Sequence, residues 1–107
     1  MSGRIHVTVA CDEFDHIRGL LDGSVKVDGV DLSFITELTN PERHGRMVRE
    51  LAFDVCELNM PTYLIARERG VPITAIPVFL FRKFRHGNVF VNPKAGIASP
   101  KDLIGQR

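Results

Sequence analysis

Four times along this chain a short apolar run ends in a polar turn, and after the first three the turn opens a segment with helical spacing. That order of elements constrains the fold more than any other feature. Arg4 to Ala10, RIHVTVA, alternates Ile5, Val7 and Val9 with polar residues, which is the period of a strand. Phe14 to Leu21 then sets Ile17, Leu20 and Leu21 at helical spacing, with Asp12 and Asp15 as candidate caps and Gly23 as a stop. Val30 to Ile35 is the second strand. Asp28-Gly29, between alternating apolar residues of VKVDGVDLSFI, reads by itself as a local hairpin. Asn40-Pro41 starts the next helix, with Asn40 as cap and Pro41 first in the helix, where its missing N–H costs nothing. Along PERHGRMVREL the residues His44, Met47, Val48 and Leu51 share a face. Phe53 to Leu58 is a short third strand, and Asn59 with Pro61 opens a helix that Gly70 and Pro72 close. Ile73 to Phe81, ITAIPVFLF, reads as a fourth strand covered on both faces, with Pro77 at its start, an edge or a bulge. Asn88 to Val91 would be a fifth, and Ser99-Pro100 begins a helical turn. Strands alternating with helices predict an α/β fold, a mainly parallel sheet with helices on both faces.

Length and composition narrow the function classes. The chain has 107 residues, enough for one domain, and its 44% hydrophobic and 25% charged content is that of a globular protein. Its 14 basic and 13 acidic side chains nearly cancel, so no broad nucleic-acid surface is expected. No apolar run approaches the roughly 20 residues of a membrane span, and the start of the chain lacks the apolar core of a secretory signal. The expected location is the cytoplasm, with no membrane partner. Cys11 and Cys56 belong to no CxxC or zinc-like set, so they read as reduced, buried thiols. No metal site or cofactor motif is indicated: there is no GxGxxG after a strand, no P-loop and no nucleophile elbow.

In parallel α/β sheets ligands bind beyond the carboxyl ends of the strands, in the loops that enter helices. That rule selects Cys11 to Asp15, Thr36 to Asn40, Glu57 to Thr62 and Arg82 to Asn88. The last follows the fourth predicted strand and packs Arg82, Lys83, Arg85 and His86 around Phe84. Arginine forks bind carboxylates through paired, charge-assisted hydrogen bonds, which makes a small acid the natural ligand. A solvated basic turn would look the same in sequence. Glu57, Asn59 and Thr62 lie where a strand enters a helix, so side chains and free backbone donors converge there, although Asn59 equally serves as a plain helix cap. Asp12 holds the corresponding place after the first strand. His44, on an apolar helix face, reads as a satisfied boundary histidine, and Tyr63 as a packing residue.

Taken as a set, LLDGSVKVDGVDLSFI, FDVCELNMPTYLIARERG, IPVFLFRKFRH and VNPKAGIASPKDLIGQR resemble the N-terminal lobe of the 4,5-dihydroxyphthalate decarboxylase family. The IPVF-x-x-R-x-FRH and FDV-x-E-L stretches carry most of that resemblance. It implies a type II periplasmic-binding-protein-like fold, in which VKVDGVDLSFI is a lead-in to the second strand instead of a free hairpin. It also implies that residues 1–107 form an incomplete N-terminal lobe, the second lobe being absent. The implied reaction is non-oxidative decarboxylation of a hydroxylated aromatic dicarboxylate to a dihydroxybenzoate and carbon dioxide. On this reading Arg82 and Arg85 hold carboxylates, Phe84 contacts the ring, His86 or Glu57 protonates the ring carbon, and Asn59 and Thr62 orient hydroxyls. The alternatives are a solute-binding module that closes on a small anion without chemistry, and a fragment inactive alone. An incomplete lobe would also leave apolar strand surface available to a second copy of the chain.

Overall fold

The computed structural model describes residues 3–106, leaving out Met1, Ser2 and Arg107, the last residue of the stretch VNPKAGIASPKDLIGQR. Its centre is a three-stranded parallel sheet of order β2-β1-β3, formed by β1 (Ile5–Ala10), β2 (Val30–Ile35) and β3 (Val55–Cys56). The first strand therefore runs down the middle, paired with β2 from Ile5↔Val30 to Ala10↔Ile35 and with β3 at Val9↔Val55 and Ala10↔Cys56. The pairing of β3 is short, and a side chain extends it. Asp54 Oδ2 accepts from the Thr8 N–H at 2.8 Å and the Thr8 hydroxyl at 2.7 Å, while Asp54 N–H donates back to that hydroxyl at 3.0 Å. Those bonds hold the Asp54 carboxyl below its ordinary range, the Thr8 N–H first among the causes.

Two helices cover one face. Helix α2 (Asn40–Glu50) and helix α3 (Met60–Glu68) bring Met47 and Ala66 onto Ala10, with Phe53 and Ile73 completing the buried cluster. Ile35, Val48, Cys56, Leu58 and Tyr63 pack around it, half-buried. Because side chains alternate along a strand, the register that points Ala10, Ile35 and Cys56 to this face points Val7, Val9, Leu32 and Phe34 to the other. Near that second face stands α1 (Arg18–Leu21), a single turn continuing a 3-10 turn at Asp15–Ile17. Leu20, Val25 and Val27 line a hollow of about 240 Å³ there with Val30 and Leu32.

Local chemistry explains where the elements begin. Asp28-Gly29 makes a turn, with Gly29 at φ 75°, but no hairpin: the chain enters β2 parallel to β1, as a lead-in. The cap of α2 is Thr39, one residue earlier than the expected Asn40. Glu42 reaches back to accept from the Thr39 N–H at 3.0 Å and hydroxyl at 2.5 Å, a reciprocal capping box that outcompetes Asn40. Asn59 does cap α3, accepting from the Thr62 N–H at 2.8 Å. Asp102 accepts from the Ser99 N–H at 2.7 Å and the Ala98 N–H at 2.9 Å, closing the expected turn at Pro100–Leu103.

The fourth and fifth expected strands do not form. Residues 73–81 have no ladder partner among the described residues and bend at Pro77, where the Val78 N–H donates to the Ile76 carbonyl at 2.8 Å. Buried Ile73, the Ala75 N–H donating to Tyr63 Oη, Arg67 donating to the Ile73 carbonyl and Phe81 against Phe14 tie the segment to the rest of the chain. Asn88 to Val91 likewise pairs with nothing, and His86–Asn88 instead forms a 3-10 turn. An apolar run is only a strand when a neighbour supplies hydrogen bonds for its backbone, and among the described residues none does. Ile76, Val78, Phe79 and Phe81 are consequently exposed.

Candidate functional site

The carboxyl ends of all three strands meet around one guanidinium. β1 continues into Cys11 and Asp12, and β3 into Glu57. Backbone bonds splice these exits together: Cys11 N–H donates to the Ile35 carbonyl at 3.2 Å and Glu57 N–H to the Ala10 carbonyl at 2.8 Å. After β2 the chain turns into α2, whose first turn delivers Arg43 to the same place. Arg43 is fully buried. Its Nη1 donates to Asp12 Oδ1 at 2.8 Å and to the Leu38 carbonyl at 3.3 Å, and its Nη2 donates to Glu57 Oε2 at 3.2 Å and to Asn40 Oδ1. The Asp12 N–H donates to that same Glu57 oxygen at 3.0 Å. Asn40, expected as a cap, is thus used as an acceptor for Arg43.

Burial is the largest influence on Arg43 and opposes its charge, but hydrogen bonding and charge from Asp12, with the charge of Glu57, overcome it, so the guanidinium pKa is raised. The buried Nε has no partner among the described residues. Around this node burial disfavours the charged forms of the two thiols and of His44. Burial pushes the Cys56 thiol up to about 11, against a smaller opposing pull from Arg43, and burial with the Glu57 charge raises Cys11. Cys11 is buried as expected, whereas Cys56 is only half-buried, and both raised thiol pKa values favour the unreactive protonated form. His44 is pushed down by burial and by the Arg43 charge, and its Nδ1 lies 3.4 Å from Asn59 Nδ2.

The basic stretch stands apart. Arg82, Lys83, Phe84, Arg85 and His86 are all exposed, with Arg82 over the Phe79 ring at 5.3 Å and the Phe84 and His86 rings 5.9 Å apart. Its starting point is nonetheless fixed beside the strand ends, because Phe81 packs on Phe14, two residues beyond Asp12, at 6.2 Å between centroids. Of the expected site residues, then, Asp12 and Glu57 come into direct contact, and Asn59 and Thr62 sit on the adjoining helix start. Arg82, Phe84, Arg85 and His86 form a separate arm, with no hydrogen bond or ion pair from the arm to Asp12, Glu57 or Asn59 among the described residues.

Arg43 was missed by the strand-end rule because it lies inside a helix. The available signal was its i, i+4 spacing with Met47, which puts a cation on the packed stripe of α2. Among the described residues no group of three or more His, Cys, Asp or Glu comes together as a metal site.

The parallel α/β sheet is that of the periplasmic-binding-protein-like class of folds, to which the family matched by this chain belongs. Within it the chain belongs to the NMT1/THI5-like family, which matches residues 22–107. It is homologous to two curated 4,5-dihydroxyphthalate decarboxylases. The protein of Comamonas testosteroni is 40% identical over 106 residues, covering 97% of this chain and 32% of the relative. That of Pseudomonas putida is 37% identical over 106 residues, covering 97% of this chain and 40% of the relative. The chain therefore spans well under half the length of the curated relatives it matches.

Proposed function

We propose that this chain is the N-terminal lobe of a two-lobed decarboxylase acting on a hydroxylated aromatic dicarboxylate of the 4,5-dihydroxyphthalate type. The observation that carries the reading is identity of 40% and 37% over 97% of the chain to two proteins of that activity. The geometry supports it by setting acceptors at the strand ends and cations on the adjoining arm, as a ligand with both hydroxyls and carboxylates requires. Non-oxidative decarboxylation breaks the bond from ring carbon to carboxylate, leaves the electron pair on the ring, and needs one proton delivered to that carbon. Arg82 and Arg85 hold carboxylates and Phe84 lies against the ring. Of the two proton donors considered, His86 is favoured. Glu57 already accepts from Arg43 and from the Asp12 N–H, the bonding of an acceptor. Asn59 is engaged as a cap, so Thr62 is the freer of the two helix-start residues.

The test is carbon dioxide release and 3,4-dihydroxybenzoate formation from 4,5-dihydroxyphthalate by the intact protein. Arg85→Ala is expected to lower kcat/KM about 10- to 100-fold, the effect of losing a hydrogen bond between charged groups. Unchanged turnover and affinity in that variant would refute the clamp. Saturable binding with no carbon dioxide would replace the enzyme reading with a solute-binding one, which the periplasmic-binding-protein-like fold also accommodates.

A further inference from the structure

We infer that Arg43 is a positioning residue of the ligand site: it fixes one oxygen of Asp12 and one of Glu57, so that their second oxygens are held as acceptors for two neighbouring ligand hydroxyls. The inference deepens the proposed function and rests on its reading of the ligand as a hydroxylated aromatic acid. Asp12 Oδ2 and Glu57 Oε1 receive no hydrogen bond from the described residues, whereas Asp12 Oδ1 and Glu57 Oε2 are both taken by the guanidinium. The two carboxylates are neighbours, since Glu57 Oε2 also accepts from the backbone of Asp12, and both keep solvent access, 45% for the Asp12 side chain and 19% for that of Glu57.

Stability alone does not account for the guanidinium. A buried ion pair offers little over well-packed apolar side chains, and here the Nε is left unpartnered at the further expense of its desolvation. What Arg43 supplies is geometry: a rigid planar fork spanning two acidic side chains from different strand exits. The free oxygens are negatively charged and repel ligand carboxylates, and Glu13 and Glu37 beside Thr36 add to that sign. They therefore select donors, and adjacent carboxylates suit adjacent hydroxyls, which bond to ionised oxygens at roughly 2.5–2.7 Å.

The experiment is calorimetric titration of the intact protein with two non-reacting probes, 3,4-dihydroxybenzoate and benzoate, which share the carboxylate and differ in the hydroxyl pair. Wild type is expected to bind the dihydroxy probe at least about 10-fold more tightly. Arg43→Lys keeps the charge but cannot span both carboxylates, and is expected to bring that ratio towards one with benzoate affinity unchanged. Glu57→Gln, which leaves Arg43 in place, is expected to do the same, and the double variant to be no worse than the worse single one. Equal weakening of both probes, an unchanged ratio in both variants, or no discrimination in wild type overturns the inference. Discrimination that Arg43→Lys abolishes, in a protein that releases no carbon dioxide from 4,5-dihydroxyphthalate, upholds it while removing the decarboxylase reading.

Discussion

Arg43 and His44 are successive residues of one helix, and although burial disfavours the charge of both, their pKa values move in opposite directions. Arg43 keeps its proton because Asp12 and Glu57 face it, whereas His44, with the Arg43 cation beside it and Asn59 across from it, favours the neutral ring. The charges of Glu57 and Asp12 pull His44 the other way but do not prevail. The pH dependence follows from the sign. With the folded pKa below the ordinary value of about 6.5, the unfolded chain takes up the proton first as pH falls. The stabilisation is complete above that value and is lost as pH falls through it towards the folded pKa. Between pH 7.5 and 5 the Tm of wild type should therefore fall more than that of His44→Gln, and parallel curves would contradict this. At the residue scale Asp12 and Glu57 were legible because strand exits can be read from periodicity. Arg43 was not, because the sequence does not say which loops a helical side chain will meet.

Among the elements, α2 shows how far local rules reach. Its start was read one residue late, because Asn40-Pro41 and Thr39 with Glu42 are both valid cap signals and the capping box satisfies two groups at once. Thr39→Ala should cost about 1 kcal/mol, seen as a lower denaturant midpoint at unchanged slope, with Thr39→Ser close to wild type. An alanine variant as stable as wild type would show that the cap bonds contribute nothing. The strands divide in the same way. β1 and β2 follow the alternation read from sequence, while ITAIPVFLF has equal strand character and forms none. Its composition records a preference for a covered, pleated surface, and nothing in it provides the neighbour.

Over the whole molecule, the radius of gyration is 19.3 Å, against about 13 Å for a compact domain of this length, and the long axis reaches 70 Å. The excess lies in the segment beyond the core, where Phe79, Phe84 and Phe90 are exposed at 61%, 84% and 90%. Such a segment opens to proteases readily, since few contacts need breaking. Trypsin acting on this chain should cut at Arg82, Lys83 and Arg85 well before Arg43, as mass spectrometry of early fragments would show; first cleavage at Arg43 would mean that the core is the looser part. What the sequence determined by itself is everything set by neighbours along the chain: the periods of two strands and two helices, the turn at Gly29, the caps at Asn59 and Ser99, and thus the edge where a ligand would sit. Tertiary structure alone decided that Asp12, Arg43 and Glu57 form one node and that the fourth apolar run stays unpaired. Both outcomes depend on partners distant in sequence, whose approach is fixed by packing and hydrogen-bond supply and not by local preference.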